Sequence, residues 1–313
     1  MISTRLGLRS LAVLLALGPL FVPLVGSSPA ALQGPSASAA RVHVIDAVQS
    51  HRPQLPLGGR KILGHYRVVT YYGAPGGGAL GILGSKPPAR IAADIKQRAK
   101  QWRGYGLRVQ PAMELIATVA QGSPGPHGDY SAPISHAAVR RYLTVAHRDH
   151  LLLILDFQPG HANFIEQVRS FAPFLRDPSV SVALDPEWKM HGHEVPAQVI
   201  GHTSASAVNA VGAYLRGIVR KYNLPDKLLI VHQFTTQMIR HRSKITTGHG
   251  IEVVFHADGF GSPAAKRATW HRLQFPRRPY GAGFKLFTKQ DTPMMTPKQV
   301  MKLRPKVDLI SYQ

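Results

Sequence analysis

Asp185 and Glu187 stand two positions apart at the end of the apolar run "VSVALDPEW" (180–188), with Trp188 directly after them. Residues two apart in an extended chain point the same way, so this spacing aims two carboxyls at one place. The indole beside them favours the protonated form of a carboxyl. Other apolar runs finish on polar residues too: Tyr71 and Tyr72, Glu114, Asp156 with Gln158, His232 with Gln233, His256 with Asp258, Lys285, and Tyr312 with Gln313. Five of the chain's 16 acids belong to this set. A buried carboxylate is costly unless paired, and one lysine cannot neutralise five acids. The group therefore reads as a polar cleft rather than a row of structural ion pairs.

Glycoside cleavage needs such a set: one carboxyl protonates the leaving oxygen, and a second acts as nucleophile or base. Glu187 is the expected general acid, its pKa raised by Trp188 and by Asp185. Asp258 is the expected second carboxylate, with Asp156 as its substitute. Tyr72, Trp188 and Tyr312 offer surfaces for sugar rings, and Glu114, Gln158, His232 and Lys285 complete the expected substrate-binding group. A metal-dependent hydrolase using His232, His256 and Asp258 is the competing chemistry. Against it, the first run, "VVTYYG", lacks the His-x-His of amidohydrolase barrels, and "HGH" (191–193) and "HADG" (256–259) are too short to define a ligand set. The expectation is that no metal and no cofactor takes part. A third reading is a non-catalytic protein that binds carbohydrate or envelope polymer.

The elements that must position these residues form a repeat. Strand-like runs occur at 66–73, 107–120, 150–160, 180–188, 227–234, 251–261, 280–287 and 307–313. Between them lie helix-like segments, "PPARIAADIKQRAKQW", "SHAAVRRYLTVAHRD", "ANFIEQVRSFAPFL", "SASAVNAVGAYLRGIVRKY", "TTQMIRHRS", "PAAKRATWHRL" and "TPKQVMKLR". Several open on proline or serine, residues suited to a first helical turn or cap. Strands alternating with helices imply parallel pairing and right-handed crossovers. Eight of them predict an α/β fold of the closed (β/α)₈ TIM-barrel type over 66–313, without a final outer helix after the eighth run. The alternative is an open doubly wound sheet, but "GAPGGG" has the wrong spacing for a dinucleotide fingerprint. Residues 41–65 are expected to be a linker or a cover for the barrel.

Residues 1–40 carry Arg5 and Arg9, the apolar run "LAVLLALGPLFVPLV" and a small-residue stretch. This is the layout of a cleaved secretory signal. Pro19 and Pro23 interrupt a run already short for a membrane span, so no transmembrane anchor is expected after cleavage. The absence of cysteine excludes a lipid-modified cysteine and any disulfide framework. The full chain has a formal charge of +22, and loss of the signal leaves 36 Lys+Arg against 16 Asp+Glu. Such a surplus draws a protein to polyanions. With secretion, it points to anionic envelope polymers and a secreted or envelope-associated location. Nucleic acid is not an expected partner, because the basic residues are dispersed and no recognition module is present.

The ending "LDPEW" resembles the Asp-x-Glu strand ending of chitinase-like and lysozyme-like glycoside hydrolase barrels. That resemblance implies a glutamate proton donor at Glu187 and a polysaccharide substrate. The chitinase pattern has further aspartates where this chain has Val180 and Ala183, so the resemblance does not extend to substrate-assisted chemistry. The longer stretch "LLLILDFQPG" to "FLRDPSVSVALDPEW" resembles secreted actinobacterial proteins of unassigned activity, which implies secretion but no mechanism.

Overall fold

A computed structural model describes residues 52–276 and 278–313. The segment read as a secretory signal, and residues 41–51 of the expected cover, lie outside the described residues. Eight parallel strands form a closed barrel: β1 (Tyr66–Gly73), β2 (Arg108–Ala120), β3 (Leu152–Phe157), β4 (Val180–Leu184), β5 (Lys227–Gln233), β6 (Ile251–Ala257), β7 (Gly281–Leu286) and β8 (Leu309–Tyr312). Each pairs with its neighbour in chain order, and β1 closes the ring by pairing with both β8 and β2. The (β/α)₈ expectation is met, with each predicted strand in its place. These strands could be read because they are buried on both faces, so they appear as continuous apolar runs.

Alternate residues supply two separate layers. The outward set, including Val69, Leu153, Val182, Leu229, Val253 and Ile310, packs under the helices in one large cluster. The inward set at the N-terminal end forms a second cluster that includes Tyr66, Val68, Ala112, Ile154, Ala183, Ile230 and Leu309. Leu55 and Ile62 from the chain before β1 join this inner cluster. Glu252 accepts from the backbone amides of Ile62 and Leu63 at 2.9 and 3.1 Å, and Arg60 donates to the Leu224 carbonyl at 2.7 Å. Residues 52–65 therefore plug the bottom of the barrel.

The outer layer contains α1 (Pro88–Lys100), α2 (His136–Asp149), α3 (Phe164–Ser170), α4 (Ala172–Leu175), α5 (Ala205–Lys221), α6 (Pro263–Leu273) and α7 (Pro297–Val300). Ser135, Ser204, Ser262 and Thr296 each cap the helix that follows by accepting from a backbone amide three residues on. Two predicted helices shrink. "ANFIEQVRSFAPFL" breaks at Phe171, two residues before Pro173, which cannot donate an amide hydrogen bond. "TPKQVMKLR" forms one capped turn.

The predicted helix "TTQMIRHRS" is absent. The chain there makes single turns at Thr236–Met238 and Arg242–Lys244, with a two-residue parallel pairing between Ile239–Arg240 and Thr203–Ser204. Just past this segment, Asn209 Nδ2 donates to the Lys244 carbonyl at 2.8 Å, and Asn209 Oδ1 accepts from Thr246 N at 2.9 Å. No helix among the described residues is long and apolar enough to cross a membrane.

The upper half of the barrel interior is polar, and one glycine makes room for it. Gly283 on β7 pairs in register with His256 on β6, and a Cβ on Gly283 would run into the His256 ring. Gly283→Ala is expected to lower stability by about 1–3 kcal/mol, the usual cost of overpacking. Chemical denaturation of both proteins checks this, and unchanged stability would show that the imidazole does not need the gap.

Candidate active site

The C-terminal end of the barrel opens into a cavity of about 600 Å³, a size suited to a small-molecule or single-sugar site. Tyr72, Gln158, Asp185, Glu187, Asp258 and Lys285 reach it, with Trp188, Phe234, Phe260 and Phe287 on its walls. Phe260 is two-thirds exposed at the rim and stands edge-on to Phe287, with ring centroids 5.7 Å apart.

β4 stops at Leu184 because Asp185 and Pro186 turn the chain into the short helix Pro186–Trp188. Glu187 and Trp188 lie on that turn. Gly201 N donates to the Glu187 carbonyl at 2.7 Å, a close approach that requires glycine, since a Cβ at position 201 would strike the Glu187 and Lys189 backbones. The Asp185–Glu187 pair thus reaches one cavity, though from a turn rather than from strand alternation.

Beneath the cavity lies a layer of buried ionisable side chains. His232 Nδ1 donates to Asp258 Oδ2 at 2.7 Å, and His232 Nε2 donates to Glu114 Oε1 at 2.9 Å. Asp156 Oδ2 lies 3.3 Å from that same nitrogen, without a hydrogen bond of its own. Both ring nitrogens face carboxylates, which requires the doubly protonated imidazolium. Burial alone would lower the His232 pKa, but Asp258, Asp156 and Glu114 raise it well above the ordinary histidine range. His256 is the converse. Its Nδ1 donates to Asp258 Oδ1 at 2.5 Å, while Nε2 accepts from Ser311 Oγ at 3.0 Å. That pairing fits a neutral ring, and burial holds its pKa below the ordinary value despite Asp258.

Lys285 Nζ is the third donor to Asp258, at 3.0 Å from Oδ2, and stands 3.8 Å above the Tyr72 ring. Burial would raise the Asp258 pKa, but His232, Lys285 and His256 hold it well below the usual carboxylate range. Glu114 is likewise lowered, burial being outweighed by the His232 hydrogen bond and charge. The remaining carboxyls go the other way. Burial and the charge of Asp156 push Asp185 well up. Burial pushes Asp156 up against the pull of His232, and burial together with Asp258 raises Glu187.

Of the residues expected at the site, Glu187, Asp185, Asp258, Tyr72, Gln158, Trp188 and Lys285 line the cavity. Asp156, Glu114 and His232 lie in the layer below it. Gln158 Nε2 donates to Tyr72 Oη at 3.0 Å, and Tyr72 Oη lies 3.4 Å from Asp185 Oδ2. Tyr312 is not brought to the site. It faces outward, accepts from Trp102 Nε1 at 3.0 Å, and lies under the Arg98 guanidinium. Burial pushes its hydroxyl up to about 12. Its neighbour Ser311 points inward instead. Ser311 and the wall residues Phe234, Phe260 and Phe287 were missed, although each phenylalanine closely follows a polar strand end.

Among the described residues, two groups have ligand atoms within 4.8 Å of one another, His232 with His256 and Asp258, and Glu114 with Asp156 and His232. In the first, the expected ligand set for a metal hydrolase, both histidine Nδ1 atoms are already spent on Asp258. A metal there would have to replace these hydrogen bonds.

The raised pKa of Asp185 has a consequence for stability. Unfolded, this carboxyl ionises near ~3.9; folded, it stays protonated to higher pH. Its contribution is therefore lost as pH rises from the unfolded value towards the folded one. Asp185→Asn cannot ionise, so its melting temperature is expected to gain on the parent protein's between pH 4 and pH 7. Thermal melts across that range check this, and a variant that loses ground as pH rises would overturn it.

No family model matches the chain, and no curated protein matches it. Among solved structures it is similar to XEG5A, a GH5 xyloglucan-specific endo-beta-1,4-glucanase from a metagenomic library, in complex with cellotriose; the match has 12% identity over 87% of this chain and 90% of that one, at a TM-score of 0.39. A likeness at that level carries no argument about chemistry.

Proposed function

We propose that the protein is a glycoside hydrolase of an extracellular or cell-envelope polysaccharide, with Glu187 as general acid and Asp258 as the partner carboxylate. One observation carries the reading. Two carboxyls on the same cavity have pKa values pushed in opposite directions, Glu187 upward by burial and by Asp258's charge, and Asp258 downward by three donors against the effect of burial. Separated pKa values of this kind mark an acid and its ionised partner. Glu187 would protonate the glycosidic oxygen as the bond to the anomeric carbon breaks. Asp258, ionised, would stabilise the positive charge that develops on the sugar ring, until water adds to the anomeric carbon and its proton returns to the Glu187 carboxylate. Lys285, His232 and His256 hold Asp258 in place and in that charge state. The four aromatic wall residues supply stacking surfaces for sugar rings.

A second reading, binding without cleavage, is favoured by the saturation of Asp258, whose two oxygens already accept from three donors. The two readings separate on substrate turnover. With the purified chain screened on envelope polysaccharides, Glu187→Gln is expected to reduce cleavage by ~10²–10⁴, and Asp258→Asn to abolish the remaining acid–carboxylate cooperation. Activity should fall as pH rises through the Glu187 value and also as pH drops through the depressed Asp258 value. Full activity in Glu187→Gln would end the assignment, and loss on chelation alone would move it to the metal hydrolase. Binding with no turnover of any polymer would favour the second reading.

The reading includes secretion, from the layout of residues 1–40, and attraction to anionic envelope polymer through the net charge of +20 that 36 Lys+Arg against 16 Asp+Glu leave after loss of the signal. Retention on such polymer is expected to weaken steeply as the screening length shrinks from ~10 Å at 0.1 M salt to ~3 Å at 1 M. Retention that ignores salt would count against it.

A further inference from the structure

The layer under the cavity has more carboxyl groups than its cations can answer, and two of them, Asp156 and Asp185, are pushed towards the protonated form. Glu114, Asp156, Asp185 and Asp258 are all buried there, against the cations His232 and Lys285. Both cations are committed, His232 between Glu114 and Asp258, and Lys285 to Asp258. Glu114 Oε2, both oxygens of Asp156, and Asp185 Oδ1 are buried without a hydrogen-bond partner. Of these three side chains, only Asp185 lines the cavity. It is 2% exposed, and its other oxygen meets only the Tyr72 hydroxyl, at 3.4 Å. A carboxyl held in this way lacks a donor, and a ligand in the cavity is placed to bring one.

We propose that the cavity takes a sugar unit bearing a protonated primary amine, with the ammonium group donating to Asp185 Oδ1. This rests on the reading of the cavity as a sugar site. A neutral sugar hydroxyl would satisfy the orphan oxygen but would not supply the counter-charge that Asp185 needs to ionise. An ammonium group does both, through a charge-assisted hydrogen bond in a site removed from water. The walls fit the rest of the unit: Trp188 and Phe260 offer faces for the ring, and the cavity has room for it. The cations nearest the cavity do not compete. Lys285 is tied down as described, and Arg272 is turned to the Thr269 hydroxyl at 3.4 Å on the exposed rim.

A divalent cation is the other species that would draw Asp156 and Asp185 into their ionised forms, so the test includes it. Short glucosamine and galactosamine oligomers, their N-acetylated counterparts, and neutral β-1,4-glucose oligomers are titrated into the purified protein by calorimetry. Spermidine serves as an amine without a sugar. Magnesium, calcium and zinc are scored by thermal shift. The free-amine oligomers are expected to bind about tenfold tighter than both other sugar series, the worth of one hydrogen bond to a charged group. Asp185→Asn is expected to erase that preference while retaining a cooperative melt. Should the variant fail to fold, the comparison of sugars on the unaltered chain still decides.

Equal affinity for the three sugar series overturns the proposal and leaves the carbohydrate reading standing. Spermidine binding as tightly as the amino sugars, or stabilisation by a divalent ion alone, overturns it as well. If no sugar in any series binds, this proposal and the carbohydrate reading fall together.

Discussion

A single imidazolium holds the centre of this barrel. His232 bridges Glu114 on β2 and Asp258 beyond β6, tying strands that are not neighbours in the ring. Without its charge, ionised Glu114 would have no counterion at this distance, and Asp258 would keep only Lys285, at 3.0 Å. Removing one partner of such a buried group commonly costs ~3–5 kcal/mol, because the charges left behind stay uncompensated. The neutral state of His256, the depressed pKa of Asp258 and the room left by Gly283 all follow from keeping this arrangement intact.

The arrangement also divides labour between two storeys. The lower half of the interior is apolar and supplies cohesion, sealed by Leu55 and Ile62. The upper half spends some of that cohesion on charged groups that point at, or lie just under, the cavity. Lys266 continues the pattern behind it. Fully buried, it pairs with Asp291 at 2.9 Å and donates to the carbonyls of Gly259 and Lys285 at 2.7 and 2.8 Å. Asp291 in turn accepts from Gly261 N and Phe287 N, each at 2.9 Å. The loops carrying Phe260 and Phe287 are therefore fixed to each other, and the aromatic wall is built on a rigid support.

Much of this could be read from residue order. Every barrel strand is buried on both sides, so "LLILDF" or "KLLIVHQ" has no polar face to blur it, and the polar residues that finish these runs do collect at one end. Three things could not be read. Adjacent residues at a strand end face opposite ways, and nothing in "LISYQ" tells which of Ser311 and Tyr312 looks inward; the larger, more chemically suggestive residue is the one that faces the helices. Depth was hidden as well: Glu114, Asp156 and His232 lie one layer beneath the residues a ligand would touch, a distinction set by the stagger of the strands. The missing helix at 235–243 reflects the pairing of Ile239–Arg240 with Thr203–Ser204, a tertiary contact that local pattern cannot anticipate.

The plug at the barrel's base also fixes a direction. Pro53 is held by Arg60 Nη1 at 2.8 Å, and Leu55 lies in the inner cluster, so the polypeptide enters the fold at the pole opposite the cavity. A tag joined directly ahead of residue 52 is attached on the far side. A molecule held by that end would present its open mouth outward. Immobilisation through the amino-terminal side therefore suits experiments on long polymers, since the surface that holds the protein does not crowd the site.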